Sequence, residues 1–347
     1  MDVETRFELC SRNASEIVTQ EELRTLLETK PRPKAYIGFE PSGLVHTGQL
    51  ITAAKVADLQ DAGVEVTIFL ADWHAFINDK FGGNLENIRT CGEYMKEAFL
   101  AAGVRDSVRF VWASELIERS SYWEKFIRIA KASSLQRIKR AMTIMGRTED
   151  EAEIDASKMM YPPMQAADIF ELGVDIALAG MDQRRAHMLA RDAAEKLGWT
   201  KPIALHTPLL ISLEGGERMD PADAKMSKSR PDSAVYLHDP PAEVERKIRA
   251  AFCPPQTENN PVIEVLRLVV FPRLGRLVIE RPAKYGGRIE FSSFDELARA
   301  YGEGRLHAQD LKKGAAEALI EILAPIRSHF EKHPQNLEKV KALSITR

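Results

Sequence analysis

The sequence KAYIGFEPSGLVHTGQ, from Lys34 to Gln49, decides the fold class of this chain. It begins as a short apolar strand, passes through a turn with proline, serine and glycine, and continues into apolar residues at helical spacing. A helix that starts after such a turn offers free backbone N–H groups and the positive end of its dipole to an anion. The stretch therefore predicts a strand–turn–helix unit with a phosphate site, although many such units keep a histidine and a glycine for packing alone.

The residues that follow alternate between apolar strands and helices. Residues 64–71, VEVTIFLA, are almost uniformly apolar, which is typical of a strand buried on both faces of a parallel sheet. A helix over about 85–102 and strands over 108–112 and 175–180 continue the alternation. Repeated strand–helix–strand steps predict an α/β fold with a Rossmann-like, doubly wound parallel sheet and a helical insertion at about 115–160.

The character of the chain changes near residue 236. Pro240 and Pro241 predict a helix with proline in its first turn, and the sequence is mainly helical from there to its end. We therefore expect two domains, a Rossmann-like domain over 1–235 and a mainly helical C-terminal domain over 236–347. Residues 1–33 are predicted to be helical, with a capping-box pattern at Thr19.

The bulk composition is that of an ordinary globular protein, with 44% hydrophobic and 29% charged residues. The net charge is −3, so an RNA-binding surface has to be a local basic patch. Cys10, Cys91 and Cys253 are scattered without metal-ligand spacing, which predicts reduced thiols and no protein metal site. No targeting segment and no apolar run long enough to cross a bilayer is visible, so we expect a cytoplasmic protein.

Two further patterns suggest chemistry. The basic loop KMSKS at residues 225–229 suits the neutralisation of a phosphoryl-transfer transition state and a pyrophosphate leaving group, although a surface lysine loop is the simpler alternative for this motif alone. Tyr161, Gln165 and Asp168 share one helix face at i, i+4 and i+7. The Asp168 carboxylate can accept a hydrogen bond from a phenolic hydroxyl, and the Gln165 amide can hold an amino group. The alternative is a solvated helical turn in which these side chains have no binding role.

Together these motifs resemble a known family. A histidine and glycine early in an α/β domain, followed by KMSKS, is similar to the paired signature of class I aminoacyl-tRNA synthetases. The segments YIGFEPSGLVHTGQ, LADWHAF, YPPMQAADI, GMDQRRAHMLAR and KMSKS resemble, in order and spacing, the tyrosyl-tRNA synthetases of the archaeal and eukaryotic type. The resemblance covers essentially the whole chain, including RPAKYGG and LHAQDLK. Gln49 stands where the family usually has histidine, and we expect altered ATP handling at most.

The resemblance implies a tyrosine–tRNA ligase that activates L-tyrosine with ATP to tyrosyl-adenylate and transfers tyrosine to the 3′ end of tRNA-Tyr. It implies that Tyr36 and Asp168 bind the phenol hydroxyl. The remaining implied tyrosine-binding residues are Tyr161, Gln165 and Gln183. The residues implied at the ATP phosphates are His46, Gln49, Lys225 and Lys228, and Gly48, Ser227 and Ser229 complete the ATP site. Mg²⁺ would accompany ATP through phosphates and water, and Glu40 and His74 are expected near the pocket.

The resemblance also implies an RNA partner and a homodimer. Arg184 and Arg185 would meet the first base pair of the acceptor stem, or else pair with local carboxylates. The residues implied in anticodon recognition are Tyr285, His307 and Asp310, which would make residues 236–347 an anticodon-recognition domain, although Ala308 replaces an expected proline. The basic residues between 121 and 147 fit either a polyanion-binding surface or a solvated helix face.

Three other functions remain open from the sequence. Tryptophanyl-tRNA synthetases share the fold and both signatures, but indole has no hydroxyl for Tyr36 and Asp168 to bind. A non-catalytic RNA-binding paralogue would predict decayed ATP motifs, and only Gln49 deviates. A different adenylyltransferase of the same superfamily would not explain the C-terminal domain.

Overall fold

The computed structural model describes residues 1–146, 155–215 and 231–343. Its strands are β1 (Glu16–Val18), β2 (Lys34–Phe39), β3 (Glu65–Leu70), β4 (Arg109–Trp112), β5 (Ile176–Gly180), β6 (Ile203–Thr207), β7 (Leu277–Ile279) and β8 (Ile289–Phe291). Its helices are α1 (Val3–Ser11), α2 (Gln20–Thr29), α3 (Gly48–Asp61), α4 (Asp72–Ile77), α5 (Leu85–Ala101), α6 (Ala113–Ile117), α7 (Ser120–Ala132), α8 (Leu135–Ala141), α9 (Ala156–Leu172), α10 (Arg184–Leu197), α11 (Pro241–Ala250), α12 (Pro261–Val265), α13 (Phe271–Leu274), α14 (Phe294–Gly302), α15 (Ala308–Lys332) and α16 (Gln335–Lys341).

The larger sheet has the strand order β1-β6-β5-β2-β3-β4. The strand β2 pairs in parallel with β3 on one side and β5 on the other, and β4 and β6 extend the parallel arrangement outwards. The order reverses next to β2, and ligands of open α/β sheets bind beyond the carboxyl ends of strands at such a point. The predicted α/β fold with a Rossmann-like sheet and a helical C-terminal part is confirmed.

The amino-terminal prediction is partly wrong. Residues 16–18 do not continue a helix but form β1, which pairs antiparallel with β6 at the sheet edge. A strand of three residues is too short to show a period, and β6, which the sequence also failed to indicate, supplies its partner. The capping box is confirmed, because Thr19 Oγ1 accepts the backbone N–H of Glu22 and the Glu22 carboxylate accepts that of Thr19.

The described chain forms two compact units. The first contains residues 1–43, 52–208 and the chain from 339 onwards, and the second contains residues 44–51 and 209–338. The functional division at residue 235 stays a prediction. In the second unit, residue 314 is a glycine at which a Cβ atom would lie 2.7 Å from Ile279 Cγ1, so α15 packs closely against β7.

The core of the first unit lies between the sheet and α7, α9 and α10. It includes Tyr36 and Phe69 from the central strands and Tyr122 from α7, each no more than 2% exposed. The helix α9 is capped at its start by Asp155, whose side chain accepts the backbone N–H of Ser157, and at its end by Gly173, where φ is 59°. Within the described ranges, no helix is both long and apolar enough to span a membrane.

Candidate active site

The site in the first unit is built from residues that follow the carboxyl ends of β2, β3 and β5. Glu40 follows β2, His74 lies on α4 directly after β3, and Gln183 follows β5 at the start of α10. The facing helix α9 contributes Tyr161, Gln165 and Asp168. The sheet and α9 bring these side chains close together. Residues that follow the carboxyl ends of neighbouring parallel strands lie where open α/β sheets bind ligands.

Asp168 is a fully enclosed carboxylate, only 2% exposed. Tyr122 Oη donates to its Oδ1 at 3.2 Å, and His74 Nε2 lies 3.2 Å from its Oδ2. Burial raises the pKa of Asp168, while His74 and the Tyr122 hydroxyl oppose that rise by stabilising the charged form. Tyr122 had no motif in the sequence that could reveal it, because it lies on α7, far along the chain from α9.

Tyr36 projects from the middle of β2 and is 2% exposed. Burial raises the pKa of its hydroxyl far above the ordinary value, and the Asp168 charge raises it further, while a hydrogen bond from Gln165 opposes the shift. Tyr36 therefore stays a neutral phenol that can donate and accept at once. Tyr36, Gln165 and Asp168 thus lie together, with Tyr36 and Asp168 buried and Gln165 partly buried.

The amides of Gln165 and Gln183 form a second polar group. Gln165 Nε2 donates to Gln183 Oε1 at 3.3 Å, and Gln183 Nε2 donates to the carbonyl oxygen of Ile144 at 3.0 Å. These bonds fix both amide orientations and leave Gln165 Oε1 buried without a hydrogen-bond partner among the described residues. A buried, unpaired amide oxygen is costly and is an acceptor suited to an ammonium group.

Glu40 joins this group from the end of β2. Tyr161 Oη donates to Glu40 Oε1 at 2.5 Å, and Asn78 Nδ2 lies 3.1 Å from both carboxylate oxygens. Asn78 also donates to the carbonyl oxygen of Met145 at 3.1 Å. No pattern in the sequence singles out Asn78, whose contact with Glu40 follows only from the packing of α4.

The segment around His46 belongs to the second unit. Thr47 N donates to the Val235 carbonyl at 2.8 Å, and Leu237 N donates to that of Val45 at 3.0 Å, so residues 45–47 pair with 235–237. Gly48 N donates to His46 Nδ1 at 3.1 Å. With Nδ1 as acceptor, the neutral imidazole of His46 carries its proton on Nε2.

Gly48 and Gln49 hold this turn in its conformation. A Cβ atom at Gly48 would lie 2.8 Å from His46 Cε1, so only glycine fits beside the ring in this position. Gln49 Oε1 accepts the backbone N–H of His46 at 2.9 Å, which fixes which end of the amide is the oxygen acceptor and which is the nitrogen donor. The predicted helix is confirmed and begins at Gly48. Residues 225–229, with Lys225, Ser227, Lys228 and Ser229, lie outside the described residues.

The two arginines after Gln183 have protein partners in this structure. Arg184 Nε lies 2.8 Å from Glu16 Oε2, and Arg185 donates from Nη1 to the Arg140 carbonyl and the Thr143 hydroxyl. The hydrogen bond from Arg184 lowers the pKa of Glu16. Both arginines are exposed, so these contacts leave their charges accessible at the protein surface.

The residues expected at an anticodon lie in the second unit. Tyr285 is 60% exposed, and Lys284 Nζ lies 4.8 Å from the centre of its ring. His307 caps α15 by accepting the backbone N–H of Gln309, and Asp310 lies in the first turn of that helix. Lys313 donates to the Glu280 carbonyl at 3.1 Å, which ties the start of α15 to the chain just before Tyr285.

Comparison with known proteins gives consistent matches. The family model described as tRNA synthetases class I (W and Y) matches residues 28–324. A tyrosine–tRNA ligase of Saccharolobus islandicus (strain M.14.25 / Kamchatka #1) is 49% identical, with 99% of both chains covered. The crystal structure of tyrosyl-tRNA synthetase from Aeropyrum pernix is 47% identical, with a TM-score of 0.90 and 99% of both chains covered. That of the Pyrococcus horikoshii enzyme, complexed with L-tyrosine, is 43% identical, with a TM-score of 0.91 and coverage of 99% of this chain and all of that one.

Proposed function

The chain belongs to the class I tRNA synthetases of the tryptophan and tyrosine group, which are ATP-dependent ligases, and we propose that it is the tyrosine–tRNA ligase of its organism. The observation that carries the choice of tyrosine is the buried pair of Tyr36 and Asp168. A carboxylate accepts several hydrogen bonds, so Asp168 can take a substrate phenol as a donor in addition to Tyr122. Curated relatives named tyrosine–tRNA ligase match over nearly the full length and support this choice.

Tryptophanyl-tRNA synthetase activity is the alternative, because the family includes both specificities. Indole has one N–H donor on a larger ring and no hydroxyl, so it cannot both donate to Asp168 and accept from Tyr36. A buried polar group left without its partner destabilises the complex. The pocket chemistry therefore favours tyrosine.

We assign the tyrosine pocket residue by residue. Tyr36 and Asp168 bind the phenol hydroxyl, and the unpaired Gln165 Oε1 accepts from the substrate ammonium together with Tyr161 and Gln183. Glu40 orients Tyr161 through their 2.5 Å hydrogen bond. In the first step the tyrosine carboxylate attacks the α-phosphate of ATP, and pyrophosphate leaves. The protein contributes positioning and charge stabilisation, and no covalent intermediate with the chain is needed.

For ATP we propose that His46 donates from Nε2 and Gln49 from its amide to phosphate oxygens, while Gly48 permits close approach of the nucleotide. Lys225, Ser227, Lys228 and Ser229 are assigned to the phosphates from the sequence motif alone. We propose that Mg²⁺ accompanies ATP and is held mainly by phosphate oxygens and water. It would supply charge neutralisation at the phosphates.

The second substrate is tRNA-Tyr, whose 3′-terminal hydroxyl takes the tyrosyl group from the adenylate. We assign Arg184 and Arg185 to the acceptor stem, since both are exposed and close in sequence to Gln183. Tyr285 offers an exposed ring for stacking on an unpaired base, and His307 and Asp310 offer groups for base edges. These three residues make the C-terminal part an anticodon-recognition domain.

We further propose a cytoplasmic homodimer. On α7, Trp123 and Ile127 are 36% and 60% exposed and share a face at i, i+4, and Leu135 at the start of α8 is 57% exposed. Three large apolar side chains exposed on neighbouring helices are more typical of a protein interface than of a surface that faces water. Light scattering of Ile127→Glu tests the interface: a monomer supports it, and an unchanged dimer rejects this face.

The experiment that tests the function is amino-acid-dependent exchange of pyrophosphate into ATP, with tyrosine, tryptophan and phenylalanine compared. We expect efficient exchange with tyrosine, and with phenylalanine only a residual exchange whose kcat/KM is orders of magnitude lower. Exchange with tryptophan would show that the amino-acid substrate is tryptophan and not tyrosine, with the same adenylation reaction. A complete absence of exchange, in a protein that still binds tRNA-Tyr, would instead support the non-catalytic RNA-binding paralogue.

A further inference from the structure

The carboxylate of Asp168 is held between two side chains from other helices of the first unit. Tyr122 from α7 donates to Oδ1, and His74 from α4 places Nε2 3.2 Å from Oδ2. The side chains of His74 and Asp168 are no more than 3% exposed. Water therefore screens the pair little, and each charge depends on the other.

The His74 ring is positioned by aromatic neighbours as well. Its centroid lies 4.9 Å from that of Tyr161 at 88° and 6.2 Å from that of Phe69 at 80°, so both rings meet it edge to face. Neither ring nitrogen of His74 has a well-aligned hydrogen bond among the described residues. The contact with Asp168 is therefore mainly ionic, and packing rather than hydrogen bonding sets the ring orientation.

We propose that His74 is a positioning residue that keeps Asp168 ionised and oriented as the acceptor of the substrate's phenolic hydroxyl, an inference that rests on the proposed specificity for tyrosine. A carboxylate accepts hydrogen bonds only, whereas a carboxylic acid offers a donor. The histidine thus decides whether residue 168 offers the substrate a hydrogen-bond acceptor or a donor. It does so without touching the reacting carboxylate or ATP.

The electrostatic surroundings agree with this role. Burial lowers the pKa of His74, but Asp168, Glu40 and Asp72 together outweigh it and hold that pKa above the ordinary value. Burial raises the pKa of Asp168, and His74 is the strongest influence against that rise. Removal of the histidine leaves the buried carboxylate without a positive partner, so the pKa of Asp168 rises towards the pH of the assay.

The other titratable groups at this carboxylate cannot replace His74. Tyr122 donates a neutral hydrogen bond, and its own pKa is raised well above the ordinary value by burial. Tyr36 is likewise a buried neutral phenol. Both stabilise the carboxylate as donors, but neither supplies a positive charge.

The test is the pH dependence of pyrophosphate exchange in His74→Gln, which keeps a donor of similar size and removes the charge. We expect kcat/KM for tyrosine to fall at pH 6 by about ten- to a hundredfold, the range for one hydrogen bond to a charged group. The loss should be smaller at pH 8.5 than at pH 6, because a higher pH favours the ionised form of Asp168. Exchange with phenylalanine, which has no hydroxyl, should be nearly unchanged, so the ratio of tyrosine to phenylalanine falls.

Two controls separate this role from a purely structural one. Asp168→Asn should lose tyrosine exchange to a similar extent at both pH values, because the side chain that accepts the phenol hydroxyl no longer titrates. His333→Gln, at an exposed histidine after α15, should leave the ratio as in the unaltered protein. Thermal unfolding is measured for every variant, and His74→Asn replaces His74→Gln if the latter does not fold.

An equal loss with tyrosine and phenylalanine, or a tyrosine loss independent of pH, would overturn the role of His74. That result differs from failure of the proposed function, in which the unaltered protein itself would show no exchange with tyrosine.

Discussion

The backbone N–H of Thr47 donates to the carbonyl oxygen of Val235 at 2.8 Å. This bond joins the segment around His46 to residues 235–237, which follow the KMSKS motif by only a few residues in the sequence. Two parts of the chain that are far apart in sequence are thereby held in one register within the second unit. The conformation of residues 45–47, which we propose to be part of the ATP site, therefore depends on what fixes residues 235–237.

A buried ion pair fixes that segment, and its removal should weaken ATP binding. Lys247 Nζ lies 2.8 Å from Asp239 Oδ2, which also accepts the backbone N–H of Tyr236 at 2.9 Å. In Asp239→Ala the buried lysine charge loses its close partner and keeps only Glu243 Oε1 at 3.8 Å, so we expect a loss of about 3–5 kcal/mol in the free energy of unfolding. Urea denaturation measures the stability, and exchange kinetics should show a raised KM for ATP with little change in that for tyrosine.

The matched control is Glu303→Gln, which breaks an ion pair with Arg305 in which both side chains are more than half exposed. Exposed pairs contribute about 0–1 kcal/mol, so stability and both KM values should stay close to those of the unaltered protein. A similar KM for ATP in Asp239→Ala and in the control would show that the register of residues 235–237 does not matter for the nucleotide.

The turn at Gly48 gives a second prediction. Gly48→Ala places a Cβ atom 2.8 Å from His46 Cε1, and the imidazole has to rotate away from the Gly48 N–H that it accepts. We expect pyrophosphate exchange to fall at least about tenfold, since the ring loses a hydrogen bond and its position. Gly302→Ala is the control, because a Cβ atom there meets nothing within 4 Å and the backbone is helical. Equal activity of the two variants would remove His46 from the proposed ATP site.

The sequence could predict the parts of this site that sit within one element. Tyr161, Gln165 and Asp168 share α9, and helical spacing alone indicates their common face. Tyr122, the partner of Asp168, lies on α7, and Asn78, the partner of Glu40, directly follows α4, so only the packing of these helices brings each to its carboxylate. No local pattern carries that information.

The sheet shows the same limit. The central strands could be predicted because burial on both faces makes them continuously apolar. The edge strand β1 has three residues, and pairing with β6 rather than its own composition makes it a strand. The ion pair of Arg184 with Glu16 likewise depends on that pairing, since Glu16 is the first residue of β1.

Two buried histidines predict an acid-sensitive fold. His187 Nδ1 lies 3.1 Å from His206 Nε2, and His206 Nδ1 lies 2.9 Å from Glu16. Burial lowers the pKa of His187 to about 3 and also lowers that of His206. The unfolded chain therefore binds more protons below pH of about 6.5, so the free energy of unfolding falls as the pH drops from there towards 3.

The contribution of His187 to this slope is about 1.4 kcal/mol per pH unit. In His187→Gln the group no longer titrates, so urea denaturation between pH 7 and 5 should show a shallower fall in stability, even though the variant is less stable at pH 7. The exposed His333→Gln provides the comparison, with the slope of the unaltered protein. A slope that is the same in all three proteins would mean that His187 takes up a proton in the folded state.

The last prediction separates the two steps of the proposed reaction. Arg184 is an exposed cation on the first residue of α10, and its pairing with Glu16 holds the guanidinium in place. In Arg184→Ala one contact to a phosphate or base edge of the acceptor stem is lost, so we expect the KM for tRNA-Tyr in aminoacylation to rise about tenfold. Pyrophosphate exchange needs no tRNA and should keep its rate. Arg267→Ala, which removes an exposed arginine paired with Glu264 on its own helical segment, should change neither reaction. If Arg184→Ala slowed exchange as much as aminoacylation, the arginine would serve the fold of the first unit and not the RNA.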